Sequence, residues 1–263
     1  MKRIIALLVI VCCVFSLCSC GEKAEKALKE NPASDFDYST NHESAAIKEY
    51  IGTSKSVVIP EEIEGKPVTL ILSCAFMGKD VEKVVIPSSV TLIWDHAFSH
   101  CTSLKEVVFG DGITEIMEEG FYKCTALTEA ILPEKLEKLG YRAFSDCSSL
   151  KKVSLPKNLE QMRMEVFFNC PIEELILEDG IKEFGSYASF WGATFKELTI
   201  PASVEEIGEY SFHDNLEKVV FLGDAPKEVG DQPFGTKATV YYKKGTSGWD
   251  NTPLREEYTL VEQ

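Results

Sequence analysis

The sequence lacks the short motifs of the common nucleotide-, metal- and serine-dependent enzymes. It contains no Walker phosphate loop, no G-x-S-x-G elbow, no H-E-x-x-H motif and no glycine-rich dinucleotide turn. Its nine cysteines include no C-x-x-C pair and only four histidines are present, so a zinc site is not indicated. We therefore expect no catalytic site, no metal site and no small-molecule cofactor.

Positive charge is scarce. Lysine and arginine together number 27 against 42 aspartate and glutamate residues, which gives a formal net charge of −15. A surface this acidic repels the phosphate backbone of DNA and RNA, so nucleic acid is disfavoured as a partner. The acidity is also explained by a simple solubility role for the exposed surface.

Long apolar runs are absent apart from one at the start of the chain. Lys2 and Arg3 precede the run IIALLVIVCCVF, which is too short to span a bilayer comfortably and is followed by small residues. This order of segments is typical of a secretory signal, and we assign it to residues 1–19.

A repeat dominates the rest of the chain. Phenylalanine recurs every 22 or 23 residues, and cysteine follows three residues after four of these positions. The repeated phenylalanines are Phe76, Phe98, Phe121, Phe144, Phe167, Phe190, Phe212 and Phe234, and the cysteines are Cys101, Cys124, Cys147 and Cys170. A fixed period of this length predicts stacked units that touch only their neighbours and share one core.

Each unit contains two apolar clusters. In one unit these are Val90, Leu92 and Ile93, followed by Leu104, Val107 and Phe109. The last residues of the second cluster alternate with period two, as in a half-buried strand, and proline closes several of these strands. The pattern predicts a repeat solenoid of parallel strands.

The composition divides the chain into five segments. Residues 20–45 are polar and show no apolar period, which predicts a flexible spacer. Residues 46–67 are predicted as an N-terminal cap, 68–235 as the repeats and 236–263 as a C-terminal cap. Within the last segment we expect a strand at residues 238–242 and Trp249 packed over the end.

The repeat resembles the leucine-rich repeats of the BspA-like, or Treponema-type, bacterial surface proteins. The resemblance is strongest at Ala97-Phe98 with Cys101 and at Ala143-Phe144 with Cys147, and it extends over residues 46–242. It implies a right-handed, leucine-rich-repeat-like coil that is mainly β with short turns and helical segments. For function it implies display at the cell surface and binding, with no common catalytic activity.

The end of the apolar run resembles the bacterial lipobox. Leu17-Cys18-Ser19-Cys20 places a cysteine after an aliphatic residue and two small ones. The resemblance implies a covalent diacylglyceryl group on Cys20, which would become the first residue after cleavage and hold the protein outside the cytoplasm at the membrane. The alternative is an ordinary secretory signal that happens to contain cysteines.

The cysteines of the repeat have two interpretations. An exported protein forms disulfides readily, and cysteines on neighbouring coils could lie within bonding range. A cysteine three residues after a core phenylalanine also suits a buried thiol that fills a turn. We favour the buried thiol.

One face of the strands is the candidate binding surface. Two columns of outward-pointing residues are expected, one mainly aliphatic and one charged. The aliphatic column is Val58, Val85, Val108, Ile131, Ser154, Ile176, Thr199 and Val220, and the charged column is Lys83, Glu106, Glu129, Lys152, Glu174, Glu197 and Lys218. A continuous apolar stripe rimmed by charge fits a protein or glycan partner. The alternative is that β-branched residues suit strands and that opposite charges stabilise neighbouring coils.

Three functions remain open. The first is a surface-anchored binding or adhesion protein whose partner belongs to the host or the envelope. The second is a structural or assembly module of a cell-envelope complex. The third is a glycan-acting enzyme, which would need two carboxylates held at a fixed separation in a cleft.

The lipid assignment predicts that cells expressing the protein attach radiolabelled palmitate to it. We expect Cys20→Ala to abolish the label because the acceptor thiol is removed, whereas Cys18→Ala retains it. An unlabelled wild-type protein would contradict the assignment.

Overall fold

The repeated phenylalanines form one column of stacked rings in a computed structural model that describes residues 29–187, 189–212 and 214–263. Centroids of successive rings between Phe76 and Phe234 lie 4.7 to 5.6 Å apart. All eight phenylalanines are buried. The ring spacing is close to the distance of about 4.8 Å between neighbouring strands, so each coil adds one ring. The predicted shared core is confirmed.

A tyrosine ends the column on each side. Tyr50 stacks on Phe76 at 5.2 Å, and Tyr258 meets Phe234 edge-on at 5.7 Å. The Tyr50 hydroxyl donates to the Ser54 carbonyl, and the Tyr258 hydroxyl accepts from the Phe234 amide. Each hydroxyl therefore has a polar partner at the end of an apolar core, an arrangement that phenylalanine could not provide.

The coils are built from short strands with very little helix. The first strands are β1 (Phe36–Thr40), β2 (Ala45–Tyr50), β3 (Ser56–Val58), β4 (Glu62–Ile63), β5 (Lys66–Ile71), β6 (Lys83–Val85), β7 (Leu92–Ile93), β8 (Glu106–Val108), β9 (Glu115–Ile116) and β10 (Glu129–Ile131). They are followed by β11 (Lys138–Leu139), β12 (Lys152–Leu155), β13 (Gln161–Met162), β14 (Glu174–Leu177), β15 (Glu183–Phe184), β16 (Glu197–Ile200), β17 (Glu206–Ile207), β18 (Lys218–Phe221), β19 (Glu228–Val229), β20 (Thr239–Tyr242) and β21 (Thr259–Glu262). The helical segments are a 3-10 turn at Ala33–Asp35 and α1 at Leu254–Glu257.

The strands form two faces that run along the stack. The short-strand face is the sheet β1-β2-β5-β7-β9-β11-β13, with β4 beside β5, followed by the sheet β15-β17-β19. The strand face consists of the sheets β3-β6-β8, β10-β12-β14 and β16-β18-β20-β21. All pairs are parallel except β1 with β2 and β4 with β5. The parallel solenoid predicted from the period is therefore confirmed.

The turns that carry the phenylalanines are also hydrogen-bonded from coil to coil. The Phe98 amide donates to the Gly120 carbonyl and the His100 amide to the Tyr122 carbonyl, both at 2.7 Å. His96 and His100 have φ values of 58° and 61°, a region that residues other than glycine rarely occupy. Equivalent turns repeat this conformation, so contacts with the neighbouring coil hold the backbone in it.

Regular structure begins earlier than the sequence predicts. Within the predicted spacer 20–45, β1 pairs with β2 and its Phe36 ring packs on Tyr50. The Asn31 side chain accepts a hydrogen bond from the Val58 amide, which covers the outer edge of β3. The spacer prediction is wrong for residues 33–45 because one buried aromatic ring is enough to attach a polar strand to the end of the stack. Residues 1–28, with the predicted signal and Cys20, lie outside the described residues.

The C-terminal cap contains the predicted strand as β20 and two further elements, α1 and β21. Trp249 is 3% exposed and its ring stacks on Tyr242 at 4.6 Å, as predicted. Leu254 of α1 is buried beneath the last coil. Among the described residues, no helix is both long and apolar enough to cross a membrane.

The ring column predicts a strong effect of truncation at its centre. Phe144→Ala should lower the free energy of unfolding by about 3–5 kcal/mol, because it leaves a cavity between two stacked rings. Urea denaturation followed by circular dichroism measures the change. Glu256→Ala, at an exposed residue of α1, is the control and should change stability by no more than about 0.5 kcal/mol. Equal effects of the two changes would contradict the shared core.

Candidate binding faces of the solenoid

The strand face directs the predicted aliphatic column towards solvent. Val108, Ile131 and Ile176 are 41%, 48% and 38% exposed. Strand register places the column in line within each sheet, as Val58, Val85 and Val108, then Ile131, Ser154 and Ile176, then Thr199 and Val220. Val58, Val85, Ser154 and Val220 are half-buried, and Thr199 is exposed. The predicted outward orientation is confirmed.

Strand pairing beneath the predicted column is interrupted between β8 and β10 and between β14 and β16, so the column is divided among three sheets. At the first break, Phe109 occupies an inward position and packs edge-on against Phe121 at 5.6 Å. Gly110 and Gly112 follow, and a Cβ at Gly112 would lie 2.0 Å from the Ser88 carbonyl oxygen. The strand face is therefore three short surfaces in succession.

The third surface extends further than the sequence predicts. Register places Tyr241 of β20 beside Val220, and Val261 of β21 beside Tyr241. The Lys218 ammonium lies 5.7 Å from the centroid of the Tyr241 ring. Continuing the period-two pattern through the strand at residues 238–242 would have identified Tyr241, whereas Val261 lies beyond the recognisable repeat.

The charged column is largely neutralised within itself. Ion pairs join Lys83 to Glu106 at 2.7 Å, Lys152 to Glu174 at 3.1 Å and Lys218 to Glu197 at 3.3 Å, each between neighbouring coils. Glu129 forms no ion pair in the part of the chain that the structure describes. Most of these charges therefore stabilise the stacking of coils, as the structural alternative predicts.

A second row of charges lies one residue before the first, at the residues that immediately precede the strands. Glu82 binds both Lys55 and Lys105, at 3.3 and 2.8 Å. On the short-strand face, Glu205 binds Lys182 at 3.0 Å and also pairs with Lys227. These lysines lower the pKa values of Glu82 and Glu205 through hydrogen bonds to the carboxylates.

The short-strand face carries a groove that the sequence does not predict. It has a volume of about 750 Å³, and Met117, Tyr141 and Met164 provide one large apolar or aromatic side chain from each of three successive coils. Met164 is 47% exposed. These residues follow the first apolar cluster of each unit and differ in type, so only alignment of the turns would have revealed them. We call this surface the lateral groove.

The lateral groove continues into an acidic end. The outward residues of β15, β17 and β19 are Glu183, Glu206 and Glu228, which lie side by side in register. Together with Glu209 and Asp231 they line a depression of about 410 Å³ that has no basic side chain in its wall. The negative charge is therefore concentrated at one end of this face.

The four repeat cysteines are buried free thiols, as predicted. Each Sγ donates to a carbonyl oxygen of the preceding coil, for example Cys101 to Phe76 at 2.9 Å and Cys124 to Phe98 at 3.2 Å. Burial raises the pKa of Cys101 to about 12, so this thiol is not a nucleophile at neutral pH. Cys74, which precedes its phenylalanine, is exposed and free.

Neither a histidine-cysteine pair nor a metal cluster is formed in the described residues. The His100 Nδ1 atom lies 2.9 Å from the Ser99 hydroxyl, while the neighbouring Cys101 thiol points to a backbone carbonyl. His96 instead lies 3.2 Å from the Glu119 carboxylate. No group of three or more histidine, cysteine, aspartate or glutamate side chains in the described ranges could hold a metal ion.

The sequence of these coils matches the profile of a known repeat family. A profile described as the BspA type leucine-rich repeat region matches six copies, over residues 69–192 and 185–238. These residues make up more than half of the chain. The chain belongs to the BspA-type leucine-rich repeat family.

Solved structures to which this chain is similar include several leucine-rich repeat proteins of bacteria. The T. pallidum leucine-rich repeat protein matches with a TM-score of 0.59 and 30% identity, over 77% of this chain and 86% of that chain. A leucine-rich repeat protein from Bacteroides capillosus matches with a TM-score of 0.43 and 28% identity, over 45% of this chain and 92% of that chain. A leucine-rich cell surface protein from Faecalibacterium prausnitzii matches with a TM-score of 0.48 and 19% identity, over 82% and 77%. No curated protein matches.

The ion-pair rows predict acid-sensitive stacking in this BspA-type chain. Because the pKa values of Glu82 and Glu205 are lower in the folded state than the ordinary 4.5, their contribution is present above that pH and is lost as pH falls through the folded-state pKa. We expect the urea midpoint to fall between about pH 6 and pH 3, and to fall less in the double variant Glu82→Gln, Glu205→Gln.

The matched control for this measurement is Glu62→Gln with Glu256→Gln, since these exposed carboxylates take part in no ion pair within the described part of the chain. The control should keep the full acid dependence of the wild type. Identical pH profiles for the two double variants would show that the ion-pair rows do not contribute.

Proposed function

We propose that this BspA-type protein is a lipid-anchored protein of the bacterial cell surface that binds a protein or glycan through its strand face. The anchor is the diacylglyceryl group on Cys20, and the location is extracytoplasmic. Membership of the BspA-type family supports a repeat scaffold for binding. The proposed action needs no cofactor and no chemical step.

The observation that carries the proposal is the exposure of aliphatic side chains on the strand face. Val108, Ile131 and Ile176 leave between 38% and 48% of their surface in water, at a free-energy cost that a partner could relieve. The three residues come from β8, β10 and β14. Tyr241 adds an aromatic ring to the same side of the molecule at β20.

The ion pairs indicate which part of the face would contact a partner. Lys152 and Glu174 satisfy each other across neighbouring coils, so a ligand would have to break that pair to use either charge. Glu129 has no such pair among the described residues, and it lies two residues before Ile131 on β10. We therefore place the centre of the proposed contact at β10, with the other charges at its rim.

The second candidate is a structural or assembly module of a cell-envelope complex. The paired charge rows and the interrupted strand face favour it, since both contribute to rigidity along the stack without offering a continuous surface. The two candidates differ in the source of the partner. Retention by envelope extracts, without retention by host matrix, would favour the module.

The proposal predicts that the triple variant Val108→Asp, Ile131→Asp, Ile176→Asp loses attachment to host matrix or to partner bacteria. Three charges placed on the apolar column would have to be desolvated on contact, which we expect to weaken binding at least about tenfold. Attachment of labelled protein to immobilised matrix and to bacterial cells measures the loss.

The control triple variant is Ile51→Asp, Met77→Asp, Trp191→Asp, which adds the same charge at exposed residues outside the column. Both variants should retain the circular dichroism spectrum of the wild type. Undiminished attachment by a correctly folded strand-face variant, or equal losses in the two variants, would contradict binding through this face.

A further inference from the structure

The lateral groove has an apolar part and an acidic end on successive coils of the same face. At its apolar part, Tyr141 and Met164 stand on neighbouring coils above Lys138 and Gln161 of the short-strand face. At its acidic end, on the next three coils, glutamates occupy the outward strand positions that Lys138 and Gln161 occupy in the apolar part. Since β15 follows β13 directly in the stack, the two parts adjoin.

The two parts of the groove differ in whether their glutamates form ion pairs. In the apolar part, Glu115 pairs with Lys138 at 2.8 Å. At the acidic end, Glu183, Glu206 and Glu228 form no ion pair with any described residue. The adjacent lysines, Lys182 and Lys227, already bind Glu205. The acidic end therefore keeps a net negative charge that neighbouring basic side chains do not neutralise.

Directly opposed like charges weaken a sheet, so this arrangement opposes the stability of the stack. Within each sheet of the strand face, equivalent positions alternate in sign and neighbouring lysines and glutamates form ion pairs, which shows that the fold accommodates a paired arrangement inside a sheet. The unpaired glutamates are therefore best explained by a cationic partner that supplies the missing charge. Methionine and tyrosine, both enriched at protein interfaces, supply apolar contact beside them.

We propose that the lateral groove binds a peptide segment of a partner protein in which apolar residues are followed by several lysines or arginines. The apolar residues would contact Met117, Tyr141 and Met164, and the basic residues would pair with Glu183, Glu206 and Glu228. This surface is separate from the strand face, so it adds a second binding site to the one proposed above.

The groove also limits the length of the segment. Glu115 and Glu228 lie on the first and last of six successive coils. At the spacing of parallel strands, the distance between these two coils is about 24 Å. An extended segment covers that distance with about seven residues, and a helical one with about sixteen. The order of apolar and basic residues fixes the direction in which the segment lies.

The test uses the purified protein and a fluorescent synthetic peptide of about sixteen residues, with leucine and phenylalanine in one half and lysine in the other. Fluorescence anisotropy measures its affinity. Two comparison peptides replace the lysines by glutamate, or the leucines and phenylalanines by serine, and both should bind at least about tenfold more weakly. Affinity should also fall as salt is raised, because the pairs are exposed.

The variants assign the binding to the groove. Glu183→Gln, Glu206→Gln, Glu228→Gln removes three charges without changing side-chain shape and should weaken the peptide about tenfold. Tyr141→Ser with Met164→Ser should weaken it through the apolar half. The matched control, Glu62→Gln, Asp111→Asn, Glu256→Gln, removes the same charge from exposed sites elsewhere and should leave affinity unchanged.

Several results would overturn the proposal. They are absence of binding at millimolar peptide, equal loss of affinity in the control variant, and equal affinity for the serine-substituted peptide. Self-association of the protein through the groove, or binding of an uncharged oligosaccharide in place of the peptide, would also overturn it. The strand-face variant Val108→Asp, Ile131→Asp, Ile176→Asp should bind the peptide normally, so failure of the earlier proposal is distinguishable from failure of this one.

Discussion

Contact between equivalent rings on neighbouring coils is the interaction on which the rest of this structure depends. A single coil cannot shield its phenylalanine, because nothing in its own 22 or 23 residues covers both ring faces. The coils above and below provide that cover, and the same stacking brings strands, thiols and turns into register. The outward columns on both faces follow from this register, since an inward ring fixes which neighbouring residues point to solvent.

The sequence predicts those parts of the fold that repeat in both type and spacing. Phe98 and Phe121 recur at an interval visible by eye, so the core, the parallel strands and the outward orientation of Val108 and Ile131 could all be predicted. Tyr50 and Tyr258 differ in type from the phenylalanines and lie 26 and 24 residues from Phe76 and Phe234, the nearest members of the column, which hides their membership of it. Such features depend on packing at the ends, where no neighbouring coil imposes the pattern.

The candidate sites also divide into one that the repeat pattern predicts and one that it does not. The aliphatic column could be predicted because strands impose period two, but its division among three sheets, the first of which ends next to the inward Phe109, does not follow from that period. The lateral groove could not be predicted, because Tyr141 and Met164 share a position in the turn but not a residue type, and Met117 lies one position earlier in its own unit. A surface is visible in a repeat sequence only where its residues are also similar to one another.

The two terminal tyrosines have a consequence for how this protein could change over time. Tyr50 and Tyr258 close the ring column, and each hydroxyl is hydrogen-bonded to a backbone group at its own end of the stack. Every ring between them meets another ring of the column on both sides. Duplication or loss of one internal unit would therefore lengthen or shorten the molecule by one strand spacing while both closures stay intact. The length of the stack and the extent of each face can in this sense change by whole coils without any change at the two ends.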